Sequence, residues 1–446
     1  MNKTKDEIEE IKDTDRNWKA GPDELLNVEG KRCLMVLHRF WPFLGGSEKQ
    51  FLKWARVLDD KKCRVKVFTT NVWDNDYFYF PEKRYIKETS AKIGNNIKIK
   101  RFKVCHLPRR NAMLSFLERF PSKTLKFLIG KPYIFLPGYY FYMFMSALFL
   151  PKKFDFIIAG VFPHYYLIYP AMFYAKVKGI PFIMSPLIHF GQPNDEENFE
   201  LFLNEKSKYL LRRSDYILTI TDDEREKLVL LGIAGTKIKV SGVGIEKNDE
   251  TLEGNGARFK KKYNISGPYV LQISTQTHDK GSHHAVEALK VLWRRGVKVK
   301  LVLIGQILKE FEEYLIRQKP EVFENTIILS YAGEQDKNDA IDGCDVFIMP
   351  SKSDSFGLVY LEAWLHKKPV IAAYCSGVTE VIDEGINGFF VPFGNYEMIA
   401  GYIYKLINDK ELSMKMGEEG FRKVVNNYLW EKRLKNFIKL IENLKL

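Results

Sequence analysis

Cysteine is scarce and unpatterned. The 446-residue chain has five, Cys33, Cys63, Cys105, Cys344 and Cys375, and none forms C-x-x-C. An odd number without metal-ligand spacing argues against a disulfide framework or a structural zinc site. It points instead to a reducing, cytoplasmic setting. Long apolar runs are lacking too. Residues 134–150 (IFLPGYYFYMFMSALFL) carry no charge over 17 positions. As a helix they would span about 25 Å, short of the roughly 30 Å hydrocarbon core, and Pro137–Gly138 interrupts them. They are expected either as a buried helix on the N-terminal sheet or as an interfacial membrane element. The first 30 residues have no apolar core, so no secretory leader is expected. Repeats and low-complexity tracts are missing, and 46% hydrophobic against 28% charged residues describes a globular chain. Its length suits two to four domains at roughly 100–200 residues each.

Acidic residues are few in the front half. Residues 1–240 hold 28 Asp+Glu against 41 Lys+Arg, and residues 241–446 hold 28 of each. Within 31–130 the imbalance is 8 against 23. A basic surface of this kind attracts nucleic acid, anionic membrane or anionic substrates. No nucleic-acid motif accompanies it, so nucleic acid is not expected as a partner.

From residue 31 short β-rich runs alternate with amphipathic stretches. Residues 33–37, 65–69, 97–102, 154–159, 181–184 and 216–220 read as strands, with helices over 47–58 and 222–231 among the stretches between. A second series follows at 269–273, 300–304, 327–329, 346–349 and 369–372. Such alternation means parallel sheets with crossover helices, and two series imply two doubly wound domains. Between them lies 241–267, rich in Gly, Asn, Glu and Lys. Ligands of these sheets bind beyond the carboxyl ends of the strands.

Three motifs sit at such ends. Gly45-Gly46-Ser47-Glu48 follows the first strand. Two glycines permit close backbone approach, Ser47 and Gln50 have capping-box spacing, and a helix N-terminus there would suit a phosphate. Its plain alternative is a tight turn before a helix. Lys280–Gly281 follows the first strand of the second series. Lys280 would hold a diphosphate as a point charge, or else simply be solvated. The third string runs from Pro350 to Trp364, PSKSDSFGLVYLEAW. A strand enters a small polar loop, a helix starts near Gly357, and Asp354 and Glu362 stand eight apart. Glu362 lies about a turn and a half into the helix, where its carboxylate would accept ribose hydroxyls. Asp354 would do the same for a sugar, and the N–H groups of Phe356, Gly357 and Leu358 would face a phosphate. A plain core helix needs no charge beside Leu361, Ala363 and Trp364.

This string resembles the glutamate–seven–glutamate signature of retaining family 4 glycosyltransferases with the GT-B fold. The resemblance continues through Pro369-Val370-Ile371-Ala372, Gly377, Glu380-Val381-Ile382 and Asn387-Gly388-Phe389 to Val391-Pro392. It covers roughly residues 31–430, tightly in the second domain and loosely in the first. It implies α/β architecture with two Rossmann-like domains facing across a cleft: a tail over 1–30, an acceptor domain over 31–243 and a nucleotide-sugar-binding domain over 244–429. A helix over 430–446 would cross back. It implies transfer of a sugar, here a hexose, from a nucleotide-sugar donor with retained configuration and no metal or other cofactor. The acceptor is expected to be a glycan or lipid-linked glycan of cell-surface polysaccharide or glycolipid synthesis. By position Lys280 matches the diphosphate lysine, Glu362 the ribose acid, Asp354 the acid at the donor sugar, and Gly45–Gly46 the loop over the phosphates. His189 matches the histidine facing the sugar, with His164 a weaker rival, and Tyr331–Ala332 fall at the nucleobase pocket. Catalysis is thus assigned to Lys280, Asp354 and His189.

Two departures stand out. Asp354 is one methylene shorter than the usual glutamate. An arginine expected five or six residues before Lys280 is replaced by Thr275 and Ser274, and His278, Arg39 and Lys49 are candidate substitutes. The missing cation also leaves a second reading, a degenerate non-catalytic binding or assembly subunit. Charge and aromatic content of the first domain point to peripheral attachment at an anionic membrane, on its inner face.

Overall fold

The computed structural model describes residues 28–444 except 44, 79–80, 107–135, 193–195 and 248–253. The tail up to residue 27 and residues 134–135 of the apolar run fall outside the described residues. The first sheet has eight strands: β1 (Arg32–Val36), β2 (Arg64–Thr70), β3 (Ser90–Ile93), β4 (Ile97–Phe102), β5 (Phe156–Ala159), β6 (Phe182–Met184), β7 (Tyr216–Thr219) and β8 (Ile238–Val240). Their order is β3-β4-β2-β1-β5-β6-β7-β8. All pair in parallel except β3 with β4. Cys33 is flanked by Val65 and Phe156, and β5 is buried throughout. Unbroken apolar runs are what a strand covered on both faces requires.

The second sheet has six strands: β9 (Tyr269–Ile273), β10 (Lys300–Ile304), β11 (Thr326–Leu329), β12 (Val346–Met349), β13 (Val370–Ala373) and β14 (Gly388–Val391). They run wholly parallel in the order β11-β10-β9-β12-β13-β14. The strand order reverses between β1 and β5 in one sheet and between β9 and β12 in the other. Crevices form at such switch points, outside the carboxyl ends of the strands. Strands β3, β8 and β14 were not expected from the sequence.

Helices α1 (Gly46–Asp60), α2 (Pro137–Leu148) and α3 (Tyr165–Lys178) belong to the first half. Helices α4 (Ser282–Arg294), α5 (Glu334–Gly343) and α6 (Leu358–Leu365) belong to the second, and α7 (Trp430–Glu442) follows them. Helix α7 packs onto the first half: Phe437 stacks on Trp54 of α1 at 5.0 Å, and the Asn436 amide donates to the Val240 carbonyl at 2.8 Å.

The apolar run near residue 134 is neither wholly buried nor wholly surface. Leu136, Tyr139, Met143 and Ala147 enter the core beneath α2, while Phe141 and Phe144 remain 69% and 52% exposed. Among the described residues no helix is long and apolar enough to cross a membrane.

Candidate active site

The β9–α4 and β12–α6 loops, both at the second switch point, clamp one another. Gly281 has φ +74°, and a Cβ there would collide with the Pro350 carbonyl. Only glycine combines that conformation with so close an approach. The Lys352 N–H donates to the Asp279 carbonyl at 2.7 Å. The clamp sets Lys280 Nζ 2.9 Å from Asp354 Oδ2 and 3.2 Å from the Ser353 carbonyl. Asp354 is 9% exposed. Desolvation pushes its carboxyl up, but the Lys280 ammonium, helped by His189, outweighs this and holds it below the ordinary carboxylate range.

His189 arrives from the first half, on the loop after β6. The imidazole stacks on Phe202 at 5.3 Å. Desolvation, then the charge of Lys280, lowers it to about 4, with Asp354 pulling the other way. It is therefore neutral at pH 7, a hydrogen-bonding group rather than a cation. Its loop is fastened from behind. Buried Glu224 accepts the Ile188 N–H at 3.0 Å and the Ile220 N–H at 2.9 Å. The Ser376 N–H, from the second half, donates to the Gly191 carbonyl at 3.0 Å. Lys280 and Asp354 are thus in contact, and His189 of the first half lies within the field of both.

Glu362 lies about one turn into α6, four residues after Leu358. Its Oε1 lies 3.3 Å from Lys337 Nζ on α5 and 3.3 Å from Lys49 Nζ on α1. Desolvation raises the Glu362 carboxyl, yet Lys337 and then Lys49 hold it below its ordinary value. Lys337 also pairs with Glu334 at 2.8 Å. The sequence reading missed Lys337. The only signal it left was a lone cation in EQDKNDAIDG, a helix otherwise charged by acids.

The glycine turn opens α1 and faces the start of α6. Gly45 is the N-cap of α1, and a Cβ on Gly46 would stand 3.8 Å from Leu358 Cδ1 at the start of α6. The expected capping box does not form. Ser47 Oγ donates instead to Glu48 at 3.0 Å, and Gln50 reaches the Gly242 carbonyl at 3.2 Å. Glu48 wins the hydroxyl because it is fixed nearby, facing Arg39 at 3.4 Å and His38 at 3.5 Å.

Gly357 is the left-handed N-cap of α6, with φ +85°, so Leu358 opens the helix. The expectation for Phe356 needs correction. Its N–H is taken by Asp354 Oδ1 at 3.3 Å, and its ring packs edge-on to Tyr428 at 5.6 Å. Tyr331 is 53% exposed beyond the end of β11, with Ala332 packed on the core beside it. His164 does not join Lys280; it stacks on His38 at 3.9 Å and contacts the Tyr166 hydroxyl at 3.0 Å. Among the described residues no group of three or more His, Cys, Asp or Glu is placed to hold a metal ion.

Two doubly wound parallel sheets meeting carboxyl end to carboxyl end, with acidic and basic groups lining the meeting, define the GT-B class. Solved structures agree on the fold. Anabaena HepE in complex with UDP and glucose superposes with TM-score 0.65 at 15% identity, covering 93% of this chain and 100% of that one. Sucrose-phosphate synthase from Thermosynechococcus elongatus gives 0.66 at 14% identity, covering 92% and 98%. Residues 256–423 match the family model of glycosyl transferases group 1. Among curated relatives it is 27% identical to the capsular polysaccharide biosynthesis glycosyltransferase CapM of Staphylococcus aureus, over 52% of this chain and 63% of CapM. It is 23% identical to the lipopolysaccharide core biosynthesis glycosyltransferase LpsE of Rhizobium meliloti, over 54% of this chain and 72% of LpsE. The match to the first of these therefore spans less than two thirds of that relative.

Proposed function

We propose that this protein is a retaining hexosyltransferase that moves a sugar from a nucleotide-sugar donor to a glycan or lipid-linked acceptor in cell-surface polysaccharide or glycolipid synthesis. The observation that carries the proposal is the convergence of Lys280, Asp354 and neutral His189 at the facing strand ends. Relatives named for capsule and lipopolysaccharide synthesis support the acceptor class, and UDP-bound structural neighbours support the donor class.

In this reading the diphosphate lies against the start of α6 and the Gly45–Gly46 turn. Lys280 neutralises its growing charge, where other enzymes use a metal. Glu362 accepts the ribose hydroxyls, Tyr331 and Ala332 border the base, and Asp354 and His189 hold the sugar hydroxyls. The bond from the anomeric carbon to the diphosphate oxygen breaks, its electron pair going to that oxygen. The acceptor oxygen bonds to the anomeric carbon on the same face, and its proton passes to the departing phosphate. The test is incubation with a panel of nucleotide sugars, reading nucleoside diphosphate release and, by NMR, the anomeric configuration of the product. Release with retained configuration supports the proposal. Inversion overturns the mechanism, and no release from any donor favours a non-catalytic binding subunit.

The same proposal places the protein peripherally on the inner face of the cell membrane, held by the outer surface of the first half. Phe141, Phe144, Phe149 and Phe173 are exposed there, and Phe144 stacks on Phe173. Three ammonium groups, Lys100, Lys153 and Lys66, lie 4.4, 5.3 and 6.0 Å from the Tyr142 ring. Exposed aromatics beside clustered lysines suit an anionic bilayer, the rings entering the interface and the ammonium groups meeting the headgroups.

A further inference from the structure

The chain lacks the arginine expected before Lys280: Ser274 and Thr275 stand there. A diphosphate held by Lys280 alone would keep an unmatched negative charge. We propose that Lys49, supplied by the first half, is the second cation of the donor diphosphate site.

Of the three candidate substitutes, two are turned elsewhere. Arg39 Nη1 donates to the Trp73 carbonyl at 3.2 Å, its guanidinium lies 3.8 Å over the Phe43 ring, and Glu48 faces it at 3.4 Å. The His278 ring packs among His284, Phe393 and His283 at 5.1–5.3 Å. Lys49 is different. It stands one helical turn past the glycine pair, its N–H donating to the Gly45 carbonyl at 2.9 Å. That turn sits over Leu358. Its ammonium crosses to the second half and meets Glu362 at 3.3 Å.

Lys49 is one of two cations on Glu362. Lys337 lies at the same 3.3 Å and is the more enclosed of the two, 13% exposed against 36%, and it also holds Glu334 at 2.8 Å. When ribose hydroxyls donate to Glu362, Lys337 remains as its counter-charge and Lys49 is released. From Glu362 to the first residue of α6 is four residues, roughly 6 Å along the axis. That is within the swing of a lysine's four-carbon stem, and an ammonium with three donors needs no fixed approach angle. The donor site is then complete only when both halves face each other.

This inference rests on the donor reading above, so the experiment separates the two. Calorimetry measures UDP, GDP and ADP, with the matching monophosphates, on the wild type, Lys49→Met and Lys49→Met/Thr275→Arg. The Lys49→Met variant should lose about 10–150-fold in affinity for the diphosphate that the wild type binds, the value of one charged contact. Its monophosphate affinity should change little. Arginine at 275 should recover most of the loss, which a misfolded protein cannot do. Equal diphosphate affinity in Lys49→Met, an equal loss for mono- and diphosphate, or no recovery by the double variant overturns the role of Lys49 while leaving the donor reading intact. A wild type that binds none of the diphosphates better than its monophosphate overturns both.

Discussion

The Lys280 ammonium lies 2.9 Å from the Asp354 carboxylate, though the two residues are 74 positions apart. Each is the other's counter-charge in the absence of donor. A diphosphate competes for the lysine, and the sugar then takes up the freed carboxylate. Asp354→Asn should therefore bind nucleoside diphosphate as tightly as the wild type or tighter, because its lysine is no longer paired. Turnover should fall at least about tenfold, as the acceptor for the sugar hydroxyl is lost. Calorimetry and a diphosphate-release assay read the two arms separately. Weakened diphosphate binding would show that the pair does not compete with donor.

His189 titrates far from the ordinary range. Its folded value of about 4 lies below the 6.5 of a free imidazole, so the native state binds this proton less readily than the unfolded chain. Its contribution to stability is fully present above pH 6.5 and is lost as pH falls from 6.5 through 4, by up to about 3 kcal/mol. Proton NMR of the ring should give a midpoint near 4. Because Lys280 pushes the value down, Lys280→Met should move the midpoint upward. An unmoved midpoint would place His189 outside the field of Lys280.

Gly281 tests the clamp between the two switch-point loops. With φ +74° and the Pro350 carbonyl against it, Gly281→Ala should cost more than about 1 kcal/mol in denaturant melts. Diphosphate affinity should fall as well, since Lys280 is its neighbour. A variant as stable as the wild type would contradict the packing described.

The membrane proposal predicts salt-sensitive flotation with vesicles containing anionic phospholipid. At about 1 kcal/mol per surface lysine, Lys100→Gln with Lys153→Gln should lower binding at low salt by at least tenfold. Phe141→Ser with Phe144→Ser should reduce what survives high salt. No wild-type binding at low salt would end that proposal.

Much of this was legible in the sequence because the central strands are covered on both faces and must be apolar throughout. Runs such as 269–273 and 346–349 coincide with β9 and β12. The missed strands are short, and all three lie at sheet edges. SAKI of β3 keeps two exposed positions, IKV of β8 has one buried residue of three, and β14 opens on a glycine. The motif around Asp354 and Glu362 was readable because both acids and the helix start share one stretch of chain. Its electrostatics were not. Lys49 meets Glu362 across 313 positions and Lys337 arrives from another helix, so neither pairing has a local signature. Local rules also failed at Ser47, where a carboxylate already fixed by packing took the hydroxyl that a capping box requires.

The most direct measurement is nucleoside diphosphate release from a nucleotide-sugar panel by the wild type and Lys280→Ala side by side. The account predicts release from at least one donor and a rate at least about tenfold lower in the variant, the loss of one charged contact to the leaving group. Equal rates in the two proteins would contradict it.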